Sequence, residues 1–450
     1  MLRRALLAGL AAAPLTGCGL LFRPRGNALD ATTGGAALTR EQQWARTAWR
    51  YLENNTDYDT GLVGGVDRSP VFTVWNAADA LAAVVAAREL EVIPQREFDL
   101  RLSRLLGFLG TMDLSGGQLP NKAYHAASGK MVGFDGREAD IGWSAIDIGR
   151  LLLWLKIVAQ RHPQFAEYAD KVVLRWSFCD VIDDCGTLYG TARQGGQVQR
   201  YQEGRLGYEQ LAAAGFAAWG FATQASGSWS NAETVVVDGV ALRHDARDPR
   251  TTGAPSAVLT MPYALFGIEL GYRAPDGDTT SHALADAVYR AQEQRWQREH
   301  QLTARSDYQM RSAPFVVLDS VHANGFAWNT VAADGKEYPQ LALVNTRAAF
   351  AMAALWPGPY TQQLVAGVQS LYDPDRGWFE GRLEAGGGPL ANITLTTNAA
   401  ILETLMFQAK GALYAPGAKP GLFELRTRDV FERLNRCTPP ERGACTRRSG

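Results

Sequence analysis

Apolar and polar positions follow two helical rhythms along this chain. In Glu41–Asn54, Arg96–Met112, Pro163–Ser177, His282–His300 and Tyr360–Tyr372, apolar residues recur every three to four positions and charged residues fill the opposite side. This pattern predicts amphipathic helices with one wet face. In Asn76–Ala87, Trp143–Val158, Tyr208–Phe221, Pro262–Tyr272, Thr346–Trp356 and Thr394–Phe407, apolar residues run almost all the way round. Such helices must be enclosed by protein.

The two kinds largely alternate, as a double ring of solvated outer and buried inner helices requires. Connections from outer to inner helices are long (56–74, 113–141, 178–206, 301–344, 373–393), and those from inner to outer are short. Long loops without helical rhythm are unusual unless they carry function, so one face of the ring is the expected working face. One place breaks the alternation. Between 221 and 262 no outer helix is evident: Thr234–Val240 looks like a β-hairpin turn, so either a poor helix hides in this stretch or a small hairpin replaces it. Phe315–Leu318 also looks strand-like. The predicted fold class is all-α, a six-hairpin (α/α)6 toroid with small β-hairpin insertions, spanning 38–414.

The ends differ. Arg3 and Arg4 precede an apolar run from Ala5 to Leu15, too short to span a bilayer as a mature helix. Leu15-Thr16-Gly17-Cys18 resembles the lipobox of bacterial lipoproteins, which implies a signal peptide over 1–17 and a lipidated Cys18. An ordinary secretory signal with an incidental cysteine is the alternative. Gly19, where an inner-membrane retention signal would place Asp, implies the periplasmic side of the outer membrane in a Gram-negative cell. Residues 18–37 are Gly-, Pro- and Arg-rich and read as a tether. Residues 415–450 read as a strap or tail. In an oxidising compartment Cys179 with Cys185, and Cys437 with Cys445, are expected to close short loops as disulfides.

A net charge of −1 gives no basic surface for nucleic acid, and membrane contact is expected only through the lipid anchor. No nucleotide, serine-hydrolase or zinc-protease motif is present. The six histidines are scattered, so neither a metal nor a cofactor is expected. Twelve tryptophans suit either an aromatic core or flat platforms for sugar rings.

Candidate chemistry lies in the long loops and at the starts of inner helices. Asp147 and Arg150 interrupt an apolar helix, and burying either charge costs several kcal/mol unless it is paired or faces a wet cavity. They read as a buried pair or as cleft residues, with Trp143 one turn away as a platform. Glu203 lies just before the Tyr208 helix, where it reads as a proton donor or as a charge on the helix dipole, the latter worth under about 1 kcal/mol. Arg205, Tyr208 and Glu209 flank it. Glu380 beside Trp378 reads as a sugar subsite or as a packed turn. Trp75, Tyr124 and Asp140 are further substrate-binding candidates. A pair of carboxyls, Glu203 and Asp147 with Glu380 next, points to glycoside cleavage: one protonates the leaving oxygen and the other activates water or attacks the anomeric carbon.

The segments IGWSAIDIGRLLLWL, QEGRLGYEQLAAAGFAAWG, LVNTRAAFAMAALW and GWFEGRLEAGGGPLANITLTTNAAILETLM together resemble a family of bacterial envelope proteins known as domain-of-unknown-function family 3131. That family resembles the glucoamylase-like α/α toroids, whose members act on β-1,2-glucans and related bacterial polysaccharides. The resemblance implies a carboxylate at the start of an inner helix as the acid, matched here by Glu203, and a substrate-binding or catalytic carboxylate at Asp147. Leu211 stands where the pattern has Tyr. The expected activity is hydrolysis or transglycosylation of a polysaccharide. A non-catalytic binding or export lipoprotein, and a uronic-acid lyase using Tyr124, His125 and Arg205, are the other classes considered.

Overall fold

The computed structural model describes residues 38–194, 196–249, 255–417, 421–428 and 437. By contacts the chain falls into two units, Met1–Thr39 and Arg40–Gly450, and the fold that follows is that of the second. The expected leader and tether, with Cys18, lie outside the described residues, as does Cys445.

Helix α1 (Arg40–Asn55) packs on the inner helices α2 (Val74–Glu89) and α12 (Leu395–Lys410), and α3 (Gln95–Thr111) packs on α2. Helix α4 (Ala145–Arg161) is followed by α5 (Ala166–Leu174), then α6 (Tyr208–Ala217) and the single turn α7 (Gln224–Gly227). Helices α8 (Thr260–Leu270) and α9 (Thr280–Glu299) form one antiparallel-type pair in sequence, α10 (Thr346–Leu355) and α11 (Pro359–Val368) another. A short α13 (Leu422–Arg428) packs on α5.

Six of these helices, α2, α4, α6, α8, α10 and α12, are buried along most of their length. Each packs on the next, and α12 packs back on α2, so the inner helices close a cycle. They are the six that the sequence marks as apolar all round. The closest approach is between α4 and α6. A Cβ at Gly215 would lie 1.8 Å from the Gly149 carbonyl oxygen, so these two helices meet backbone to backbone only because glycine is there.

The fold is mostly helical but not all-α. The described residues hold seven small antiparallel sheets, nearly all within the long outer-to-inner connections. Long loops held against a protein surface must pair their own N–H and C=O groups, and local strands achieve this. Of the two alternatives for 221–262 the hairpin is the one formed, Ala232–Val237 against Val240–Asp245, and it packs on α9. The strand near Phe315 is Val316–Asp319, central between Asp307–Gln309 and Thr330–Ala332. Strand Gly377–Leu383 pairs with Leu343–Asn345 and Pro389–Ile393, where the sequence suggested only a turn.

The expected disulfide pairing is overturned. Cys179 bonds to Cys437, 258 residues away, with Cα atoms 4.9 Å apart, and Cys185 is also disulfide-bonded. The 183–187 turn is instead held by the Asp183 carboxylate, which accepts from the Cys185 and Thr187 amides. With α13 packed on α5, the C-terminal segment comes back to Cys179, so the bridge straps the tail to the helical body rather than closing a short loop.

Candidate active site

Four of the inner helices, α2, α4, α10 and α12, are capped by short polar side chains at their N-termini. Thr73 and Asn76 form a reciprocal box on α2. Ser144, Asn345 and Thr394 accept amides of the first turns of α4, α10 and α12 at 3.1, 3.1 and 3.2 Å. These ends open into one cleft of about 280 Å³. Its wall holds Thr73, Trp75, Ser144, Asp147, Tyr208, Arg347, Thr394 and Thr396 from helix starts, and Lys122, Phe134, Tyr201, Glu203, Arg205, Asp307 and Glu380 from the long loops. The long-loop face therefore carries the cleft.

Two pairs of carboxyl groups line it. In the first, Glu203 is buried and accepts from the Ser144 hydroxyl at 2.8 Å and the Ala145 amide at 2.5 Å. Both its oxygens are thus occupied by donors at the positive end of α4, an arrangement suited to a carboxylate. Asp147, one turn into α4, is half-buried at the cleft. Burial and then the neighbouring Glu203 charge push its carboxyl up to about 7, against the opposing pull of Arg205, Ser144 and Lys122. In the second pair, Glu380 accepts from the Thr394 hydroxyl and from Thr397 at 3.0 Å. Burial pushes it up to about 7 even though Arg347 and the two hydroxyls favour its charged form. Asp307 accepts from Tyr208 Oη at 2.7 Å and ion-pairs with Arg347 at 3.2 Å. Trp75 meets Tyr208 edge to face at 5.3 Å, and Phe134 stands 67% exposed at the mouth.

Of the residues singled out in the sequence, Glu203, Asp147, Glu380, Arg205, Tyr208 and Trp75 come together here. The others do not line the cleft. Trp143 is buried, its indole N–H donating to the Tyr189 carbonyl at 3.2 Å, so it is no sugar platform. Trp378 is buried against Phe350 and Tyr372 and donates to the Trp44 carbonyl. Tyr124 is buried with its hydroxyl on the Asp113 carbonyl. Asp140 organises its own loop, accepting from Ser115 and the Gly116 and Gly142 amides. Glu209 is buried against Arg247 at 2.6 Å. Arg150 pairs with neither Asp147 nor substrate: it lies buried among Asp79, Glu269 and Glu403, beneath the Trp75 ring.

Among the cleft residues that were not foreseen are Lys122, Tyr201, Asp307 and Arg347. Arg347 carried a signal, being a charge at the second position of an apolar helix, the same mark that exposed Asp147. Asp307 sits in the long 301–344 connection, whose strands place it over the cleft.

The fold has solved counterparts. An endo-β-1,2-glucanase from Chitinophaga pinensis, solved with sophorotriose and glucose, is 14% identical with a TM-score of 0.57, over 84% of this chain and 94% of that one. A β-1,2-glucanase from Parabacteroides distasonis is 14% identical with a TM-score of 0.56, over 84% of this chain and 58% of that one. A mutant endo-β-1,2-glucanase from Talaromyces funiculosus, solved with β-1,2-glucan, is 12% identical with a TM-score of 0.55, over 83% and 84%. Among proteins of curated function, none matches the sequence. Residues 43–411 match the family described as "Protein of unknown function (DUF3131)", which takes in every inner helix and every wall of the cleft, and the chain belongs to that family.

Proposed function

We propose that this protein is a glycoside hydrolase of the cell envelope, anchored through lipid on Cys18, that cleaves a bacterial polysaccharide in the cleft. The closed cycle of six buried helices is read as a six-hairpin (α/α)6 toroid in which a β-hairpin stands in for one outer helix. One observation carries the activity: two carboxyls pushed up to about 7, Asp147 and Glu380, share an aromatic-lined cleft, each beside a second carboxylate. A glycosidase needs an acid that still holds its proton near neutrality and a second carboxyl that remains charged. Asp147 is assigned as the proton donor, with the fixed charge of Glu203 holding that proton in place. The Glu380–Asp307 pair supplies the carboxylate that activates water or attacks the anomeric carbon, steadied by Arg347. Trp75 and Tyr208 offer the apolar face for a sugar ring. The shared fold with β-1,2-glucanases supports β-1,2-glucan as the first substrate to try.

The test is release of reducing ends from a panel of bacterial polysaccharides, β-1,2-glucan included, by residues 27–450. Asp147→Asn and Glu380→Gln are each expected to lower kcat by about 10²–10⁴-fold. Full activity in both variants would remove these residues from the chemistry. Binding of a glycan without any cleavage would favour a non-catalytic export or assembly role.

A further inference from the structure

The buried Arg150, Arg305 and Arg347 and the half-buried Arg247 each have at least one carboxylate oxygen within 3.2 Å. Two half-buried cations on the cleft wall have none at that distance. Arg205 makes no hydrogen bond or ion pair among the described residues, and its Nε is buried without a partner. Lys122 donates only to Tyr201 Oη at 3.2 Å and lies over that ring, with no carboxylate at ion-pair distance. An unpaired buried N–H costs about what a lost hydrogen bond does, so a group that supplies the missing acceptor recovers that cost on binding. Both cations flank the Asp147–Glu203 pair, whose charges act on Lys122 across the cleft.

We propose that the polysaccharide bound in this cleft is anionic, carrying a carboxylate or phosphate-type substituent that Arg205 and Lys122 receive beside Asp147. This rests on the reading of the cleft as a polysaccharide site and names the class of its ligand. The planar Arg205 fork suits a two-oxygen anion, and Lys122 acts as a point charge.

Binding separates this from the hydrolase reading. Two charged-against-neutral pairs of oligosaccharides are titrated calorimetrically into Asp147→Asn protein at low salt: carboxymethylated against unmodified β-1,2-gluco-oligosaccharide, and oligogalacturonate against its methyl ester. In at least one pair the charged member is expected to bind about tenfold tighter, an advantage that fades at high salt. Arg205→Met and Lys122→Met, each added to that background, are expected to shrink the ratio between charged and neutral ligands. Equal binding or no binding across both pairs, or a ratio that survives both substitutions, overturns the proposal. Cleavage of neutral glucan without charge preference would leave the hydrolase standing and sink this inference, whereas charge-selective binding without cleavage would do the reverse.

Discussion

Asp147 has its character set by three neighbours within one helical turn and one loop. Ser144 caps α4 and also donates to Glu203, so the same hydroxyl fixes the start of the helix and the carboxylate beside it. Burial, and after it that adjacent charge, push the Asp147 carboxyl up to about 7. Two results follow. The alkaline limb of the kcat/KM profile is expected to fall as pH rises through about 7, because the proton donor is lost there, and a limb unmoved in Glu203→Gln would refute the Glu203 contribution to that shift. Stability runs with the opposite consequence for the charged form. The native carboxyl titrates near 7 and the unfolded one near 4, so its destabilising effect is absent below about pH 4, grows between the two values, and is constant above. Asp147→Asn is therefore expected to raise stability by about 1–3 kcal/mol at pH 8 and by little at pH 4. Thermal melts of the parent and the variant at both pH values check this.

At the scale of elements, Arg150 is the counterpart of Asp147. It stands three residues further along α4, where the helix has passed from the cleft into the middle of the ring. There it binds Asp79 of α2 at 2.5 Å, Glu269 of α8 at 3.0 Å and Glu403 of α12 at 3.2 Å, so one guanidinium joins four inner helices. Trp154 Nε1 donates to the same Glu269 oxygen at 2.7 Å. Three carboxyls share a single cation in this buried place, and burial together with Glu269 raises the Glu403 carboxyl well above its ordinary value. Arg150→Met is expected to cost about 3–5 kcal/mol at pH 7, because it leaves the carboxyls without their partner. Denaturant titration measures the loss. A loss under about 1 kcal/mol at pH 7 would mean that packing alone holds these helices together.

At the scale of the whole molecule, the Cys179–Cys437 bridge ties the C-terminal segment to the loop that follows α5. Joining residues so far apart restricts the unfolded chain strongly, and the paired substitution Cys179→Ser with Cys437→Ser is expected to lower stability by about 2–4 kcal/mol. Melting with and without reductant tests it; a parent melt indifferent to reductant would show that the strap bears no load. The pairing also shows where reading the sequence stops. Periodicity identified each buried helix, because a segment apolar on all sides has no stable alternative to enclosure, and a charge within such a segment marked Asp147 and Arg150 as residues with a special environment. Local sequence also placed Glu203, Arg205, Tyr208 and Glu380 near helix starts on the long-loop face. Which environment each charge met was decided by depth along the helix: Asp147 reaches the cleft and Arg150 the axis, a difference of one turn that only the packed ring defines. The same holds for the aromatics, since Trp75 turns toward the cleft while Trp143 and Trp378 turn into the core, and for Lys122, Tyr201, Asp307 and Arg347, which meet only because separate loops converge. Covering apolar surface is a local demand that each segment expresses in its own residues. Bringing cysteines, carboxyls and cations from distant segments to one place depends on how all the segments pack together, and that belongs to the tertiary structure alone.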